Sequence, residues 1–494
     1  MSNDIHDHTA AVSAGHGATD DRDHARRWWV LGVIALAQLM VVLDATIVNI
    51  ALPSAQKALG FSDGSRQWVV TAYALAFGSL LLFGGRLADL IGRKTVFLTG
   101  VVGFALSSAL AGAAPGFGTL IAGRALQGAF GALLAPAALA LLNLTFARSG
   151  DRAKAFGVYG AIAGAGGGIG LLLGGVLTEH FSWRWTLYIN LVFAVLAVIG
   201  GSFLLRGGRP AHRPRLDLPG TVLASAGLFG LVYGFSNAEH HHWSSPLTWG
   251  PLGAAVILLA AFTAWQKVSA HPLLPLRVLA DRNRAASFIV VAVCGAGLFG
   301  VFLFLTYYLQ TSLAFTPVRT GLAFLPMIGV LMVTAQISTI VLVPRFGPKY
   351  IVPAGALIGA FALTRFTALN MHSTYAADIL PWLMVMGLGV GLVMPPAIGL
   401  ATSNLRPEDT GVGSATVNTM QQIGGAIGTA LLNTLAAGAA TDYLRGRRPT
   451  EQALAQAQLH SYSTAYWWSA AIFLVGAVIS VALYRGGGMD THTE

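Results

Sequence analysis

About fourteen apolar stretches of near-spanning length, separated by short polar or Gly/Pro/Arg-containing turns, leave this chain few ways to fold. They run approximately over 28–52, 68–88, 95–114, 119–142, 153–178, 186–205, 217–237, 249–268, 286–310, 321–343, 349–369, 378–401, 411–436 and 463–484. The composition agrees, because 55% hydrophobic and 10% charged residues over 494 positions is no soluble globular chain. Its 60 glycines suit membrane helices, which associate through small residues that let backbones approach closely. The expectation is an all-α bundle of about fourteen transmembrane helices. A single cysteine, Cys294, lies in an apolar run and is expected as a small buried hydrophobe, so no intrachain disulfide can form.

The formal charge of +10 does not point to nucleic acid, since the basic residues are dispersed among short loops. Their distribution reports orientation. With a cytoplasmic amino terminus, one set of loops carries Arg86, Arg93, Lys94, Arg148, Arg152, Arg282, Arg345 and many more, whereas the other carries few apart from Arg445–Arg448. That bias places both termini in the cytoplasm of a bacterial inner-membrane protein. Residues 1–27 lack the apolar core of a signal peptide and read as a disordered cytoplasmic tail, and 485–494 read as a second cytoplasmic tail.

Leu90–Lys94 reads LIGRK between spans 2 and 3, and Arg345–Lys349 reads RFGPK between spans 10 and 11. The two loops are equivalent if 28–205 and 286–484 are six-helix halves and 206–285 holds two inserted helices with a central linker.

Four motifs carry a more specific resemblance: LDATIVNIALP at Leu43–Pro53, GRLADLIGRK at Gly85–Lys94, LIAGRALQG at Leu120–Gly128 and GGGIGLLLGG at Gly166–Gly175. In this order the chain resembles the fourteen-span drug:proton antiporters of the major facilitator superfamily over its whole membrane region. The resemblance implies an exporter of small lipophilic drugs or natural products, driven by the proton gradient without a bound cofactor and working by alternating access. One departure stands in the fifth span, where the family usually has a proline and this chain has Leu171.

Physical reading of the residues gives each motif an expected role. Asp44 lies 16 residues after Trp28, or about 24 Å along a helix, well inside the hydrocarbon, where a carboxylate tends to titrate. The resemblance makes it the proton-coupling acid; a permanently paired structural acid is the alternative. Arg124 lies at comparable depth in span 4, so the two meet if spans 1 and 4 adjoin, as the resemblance implies. Gln127 and Gly128 follow at helical spacing, giving a polar handle and room for a neighbour. Gly85, Asp89, Gly92, Arg93 and Lys94 are implied to latch the halves together, with Glu408 and Asp409 on the same side. In span 5, Gly160, Gly164, Gly168 and Gly166, Gly170, Gly174 form two ladders, ending at Gly175, for helix packing or for a rocking interface between the halves.

Asn418, Gln421 and Gln422 share one face of span 13 and, with Asn49, Gln127, Tyr307, Tyr308 and Gln310, are expected to line a substrate cavity. Gln38 and Asn49 lie on one face of span 1 with Asp44 well round from Gln38, which leaves open the face that meets the cavity. Metal binding is not expected, even at the Glu239–Trp243 run EHHHW in an outer turn. No GxxxxGK[ST] loop provides for ATP, and no clustered nucleophile, base or metal site suggests an enzyme. A facilitator importing a sugar or organic anion shares the loop motif but does not predict the first- and fifth-span signatures. The glycine ladders leave oligomeric state open.

Overall fold

The computed structural model describes the backbone of residues 4–484 except 63, 147–150, 206, 208–216, 242–244, 404, 407–408 and 449. Within its helices, the side chains of 4–24, 82, 89, 152–153, 156–157, 160–161, 163–165, 236, 238–241 and 410–411 lie outside the described set.

Fourteen long helices form, and no strand occurs among the described residues. They are α1 (Asp4–Leu59), α2 (Gln67–Ile91), α3 (Arg93–Gly112), α4 (Phe117–Thr145), α5 (Arg152–His180), α6 (Trp185–Leu204) and α7 (Leu218–His241). Then follow α8 (Pro246–Val268), α9 (Arg282–Tyr307), α10 (Pro317–Ile337), α11 (Pro348–Phe366), α12 (Leu380–Thr402), α13 (Thr410–Leu444) and α14 (Glu451–Leu483). Among the described residues eleven segments are by themselves long and apolar enough to cross a membrane; α2, α5 and α11 complete the bundle by packing against them. The molecule is thus a multi-pass membrane protein. The expected disordered tail is instead helical from Asp4, where α1 extends backwards by one hydrogen bond per residue through an Ala-containing, proline-free stretch.

The repeat read from two short loops extends to the whole packing scheme. In the first half α1 packs on α4, α5 and α6, α4 packs on α2 and α3, and α3 packs on α6. The same six pairings recur among α9 to α14. The halves meet along two seams, α2 with α13 and α5 with α10, which exchange under the same pseudo-symmetry. The inserted helices α7 and α8 pair with each other, and α7 lies against both α2 and α13, so it covers one seam.

Glycine is required at the repeated loops. Gly92 sits between α2 and α3 at φ 103° and Gly347 precedes α11 at φ 77°, both in the left-handed region that L side chains rarely adopt. The helices they join can therefore reverse direction almost without a loop. Below, the end of the bundle carrying these two loops is called proximal, and the end carrying the α1–α2 loop distal.

At the proximal end, Lys94 donates to the carbonyls of Ser202 and Leu205, at 2.8 and 2.7 Å, at the end of α6. Arg86 donates to Pro272 O in the linker after α8 at 3.0 Å. Arg277, in a one-turn helix of that linker, grips Asp409 in front of α13 through Nε and Nη2, at 2.8 and 3.0 Å. That bond holds the Asp409 carboxyl below the usual carboxylate range. Asp217, before α7, accepts from Gly220 N, Trp265 Nε1, Gln266 Nε2 and Leu273 N, which ties the base of the inserted pair to the same linker.

Helices approach closely where α2 meets α4. A methyl group added at Gly84 would fall on Ala132 O, and one at Gly128 on Tyr73 O, whereas at the adjacent Gly85 the nearest atom is Pro136 Cβ at 3.6 Å. Gly84→Ala is therefore expected to lower stability by about 1–3 kcal/mol through overpacking, and Gly85→Ala to be nearly silent. Thermal unfolding in detergent separates them; equal midpoints for the two variants would rule out this α2–α4 contact.

Candidate functional site

Asp44 turns away from both seams and into the core of the first half. Its face of α1 meets α4 and α6, and the carboxylate is fully buried. Oδ2 accepts from Arg124 Nη1 at 2.6 Å, and Oδ1 accepts from Gln127 Nε2 at 2.9 Å and Asn190 Nδ2 at 2.8 Å. Arg124 is 1% exposed and spends its other donors locally, Nε on Val69 O at 3.0 Å and Nη1 also on Gln127 Oε1 at 3.0 Å. Its guanidinium lies over the Tyr73 ring, 4.5 Å from the centroid. The two charges are thus neutralised by each other and by neutral dipoles, as burial in a low-dielectric region demands.

Four helices bring these groups together. Spans 1 and 4 adjoin, so Asp44 and Arg124 meet as expected for that case, and Tyr73 of α2 is seated in the room expected at Gly128. Asn190 on α6 and Ser108 on α3 were not anticipated. Asn190 Nδ2 also donates to Ser108 Oγ at 3.0 Å, and Ser108 in turn donates to Leu187 O at 2.7 Å. The available signal was an amide standing alone in the apolar run 187–199. The face left open for α1 resolves as follows: Gln38 accepts from Tyr159 Oη of α5 at 2.7 Å, while Asp44 looks into its own half.

The fifth-span glycines divide their work. Methyl groups at Gly166, Gly170 and Gly174 would meet Val42, Thr46 and Ile47 of α1, so this ladder is a bed for the helix that carries Asp44. Gly168 and Gly175 face α10 instead, at Leu325 with Ile328 and at Pro317 with Val318, and Leu171 O approaches Gly321. The seam therefore runs along a different stripe from the 166/170/174 ladder. The surroundings of Gly160 and Gly164 lie outside the described set. Leu171 leaves α5 continuous from Arg152 to His180.

Of the residues expected to line a cavity, Asn418 is exposed and Gln421 and Gln422 are half-buried on α13; Gln422 Cβ lies beside Gly78 of α2. Tyr307 and Gln310, one turn apart at the end of α9, instead pin the halves together. Tyr307 Oη donates to Gln56 Oε1 at 2.5 Å, and Gln310 Nε2 donates to Ile50 O at 3.1 Å. Arg66 adds a bond to Asn433 Oδ1 at 3.2 Å while lying 4.3 Å from the Tyr307 ring centroid, and Glu179 accepts from Val318 N at 3.0 Å. All four contacts lie at the distal end. Tyr308 is a correction: about 100° round the helix from Tyr307, it is fully buried in the second half, donates to Asn370 O at 2.7 Å and meets Tyr462 edge-on. Asn49 is likewise buried and donates to Ala45 O of its own helix at 3.2 Å, and Gln127 belongs to the Asp44 cluster rather than to a cavity wall.

Of the expected latch, Gly92 and Lys94 shape the proximal loop as described, and Gly85 lies beside Pro136. Arg93 opens α3. The side chains of Asp89 and of 239–241 in the EHHHW run, and residues 242–243 and Glu408, lie outside the described set. No group of three or more His, Cys, Asp or Glu suited to a metal occurs among those described.

Breaking the buried pair from one side strands a charge. Arg124→Met is expected to cost about 3–5 kcal/mol, and Asp44→Asn added to it to recover much of that loss. Thermal unfolding of the three proteins in detergent measures this; a double variant no more stable than Arg124→Met would show that the pair is not a unit.

Comparison with known proteins agrees with the fold. Residues 34–429 match the Major Facilitator Superfamily. A puromycin resistance protein of Streptomyces alboniger is 47% identical over 471 residues, covering 95% of this chain and 92% of its own. A cephamycin export protein of Amycolatopsis lactamdurans is 38% identical over 402 residues, covering 81% and 83%. Among solved structures, a bacterial homolog of the human lysosomal transporter Spinster, in an inward-facing and unoccupied conformation, covers 93% of this chain and 97% of its own with a TM-score of 0.67 at 15% identity, a likeness of fold. With two six-helix halves, two inserted helices and a family match across most of its length, the chain belongs to the Major Facilitator Superfamily and is a membrane transporter, not an enzyme.

Proposed function

We propose that this transporter exports small lipophilic natural products or drugs in exchange for protons, by alternating access between the two halves. The observation that carries the proposal is Asp44, a fully buried carboxylate in the membrane region, held by a buried arginine and two amides. An intramembrane acid with a complete set of donors for its ionised form is costly to keep for structure alone. It earns its place if it takes up and releases a proton during the cycle. The relatives' names, puromycin resistance and cephamycin export, support the direction of transport and the substrate class.

With both termini cytoplasmic, the proximal end faces the cytoplasm and the distal end faces out. The distal pins Tyr307–Gln56, Gln310–Ile50, Arg66–Asn433 and Glu179–Val318 then close the outer mouth. Substrate enters from the cytoplasm or inner leaflet and lies against the seam amides of α13, Asn418, Gln421 and Gln422, which offer neutral hydrogen bonds to an apolar or weakly amphiphilic molecule. Opening the outer mouth breaks polar bonds between neutral or singly charged partners, which a proton-driven step can supply. Asp89 and Arg93 with the start of α13 then hold the proximal end shut.

The test is substrate-induced proton release from acid-loaded inside-out vesicles, with puromycin and a panel of lipophilic compounds and with cephamycin, a polar β-lactam, beside them. The unmodified protein is expected to release protons only when a substrate is supplied. Asp44→Asn, inserted in equal amount, is expected to release none. Full gradient-driven transport by Asp44→Asn would remove the carboxylate from the mechanism.

A further inference from the structure

The two amides that serve Asp44 are not equivalent. Gln127 is held at both ends: Nε2 donates to Asp44 Oδ1, and Oε1 accepts from Arg124 Nη1. Asn190 is held at one end only. Its Nδ2 is shared between Asp44 Oδ1 at 2.8 Å and Ser108 Oγ at 3.0 Å, while its Oδ1, fully buried, has no partner among the described residues.

This difference matters because the carboxyl group changes its hydrogen-bonding character when it titrates. An ionised carboxylate only accepts, whereas a carboxylic acid also donates through one oxygen. Gln127 cannot turn to accept from the acid without giving up Arg124. Asn190 can: a half-turn of its amide puts Oδ1 where Nδ2 now stands, within reach of both Asp44 Oδ1 and Ser108 Oγ. Ser108 can follow, since its hydroxyl hydrogen rotates freely and need only swing from Leu187 O to the new acceptor. The other groups facing Asp44 do not offer this exchange. Arg124 from α4 is a permanent cation, the Tyr73 phenol from α2 lies under that guanidinium, and α5 presents its glycine bed.

We infer that Asn190 is the positioning residue that answers the protonation state of Asp44, donating to the carboxylate and, after an amide turn, accepting from the carboxylic acid. By stabilising the ionised form with one more donor it sets the pH at which the pair cycles. The inference rests on the reading of Asp44 as the titrating group and goes beyond it by assigning the residue that tunes it.

Asn190→Leu keeps the bulk but can neither donate nor accept. The bond to the carboxylate is charge-assisted and outweighs the neutral bond to the acid, so losing both is expected to raise the pH midpoint of carboxyl titration by about one unit, a tenfold change in proton concentration. The readout is infrared difference spectroscopy of the purified protein across pH, following the carboxylic C=O band that Asp44→Asn abolishes. In the unmodified protein an amide side-chain band should change together with it, and Asn190→Leu should lose that band. The midpoint of substrate-induced proton release in vesicles should move the same way. Should Asn190→Leu fail to accumulate in the membrane, Asn190→Ala carries the same expectation. A carboxyl midpoint unchanged or lowered in these variants overturns the assignment of Asn190, while an inactive Asp44→Asn leaves the antiport reading standing. Conversely, full proton release by Asp44→Asn removes the antiport reading itself.

Discussion

A carboxylate and a guanidinium packed 2.6 Å apart in the middle of an apolar bundle set the terms for the first half of this protein. Each charge alone would be too costly there, and the pair is tolerable only if its remaining donors and acceptors are also met. That requirement recruits Gln127 from the same helix as Arg124, Asn190 from α6, Ser108 from α3 and a carbonyl of α2, so that one ion pair draws on nearly every helix of the half. The small residues follow from it. Gly128 lets Tyr73 come under the guanidinium, and Gly170 and Gly174 let α5 lie on α1 immediately beside Asp44.

The parts of this arrangement legible in the sequence were those set by local periodicity or by depth. The number of helices follows from apolar run length, and the match in depth between Asp44 and Arg124 follows from the rise per residue. The reversal at Gly92 and Gly347 is marked by short loops of like pattern. What the sequence left open depended on which helix lies beside which. Asn190 has no neighbour in sequence that gives it a role; its meaning comes from two residues 146 and 82 positions away. Tyr307 and Tyr308 looked equivalent in the string, yet adjacent residues on a helix point about 100° apart, and one pins the halves while the other is core. The two stripes of α5 could not be told apart without knowing that α1 lies on one side and α10 on the other.

Pseudo-symmetry in packing does not extend to chemistry. The six helix pairings of the first half recur in the second, but there the largest fully buried polar side chains are tyrosines: Tyr308, Tyr462 and Tyr466, in a core that includes Phe304, Phe366 and Phe473. A phenol ring fills the space of a helix junction with apolar area and leaves a hydroxyl to place, at far lower cost than an ion pair. Among the described residues the fully buried ion pair thus belongs to the first half, and aromatic rings fill the corresponding core of the second. The inserted pair adds to the asymmetry by covering the α2–α13 seam, where Ser225 donates to Ser79 O and Thr434 to Phe235 O, at 3.1 and 3.2 Å.

On the proposed reading, this asymmetry decides how a proton taken up at a site closed to both seams is felt between the halves. Protonation of Asp44 removes its charge from Arg124 and loosens the grip of α1 on α4 and α6. Helix α1 cannot move by itself, because Val42, Thr46 and Ile47 sit in the glycine bed of α5 without space for a methyl group between them. Helix α5 must then move with it, and its opposite stripe, Gly168, Leu171 and Gly175, is the surface that touches α10 across the seam that the inserted pair does not cover. An uninterrupted α5 transmits such a displacement along its length, whereas a proline at position 171 would break the bond that Leu171 N makes within the helix and allow part of the motion to be absorbed as a bend. On that reading, leucine at this position, backed by the close approach of its carbonyl to Gly321, lets the uninterrupted α5 join the ion pair to the seam.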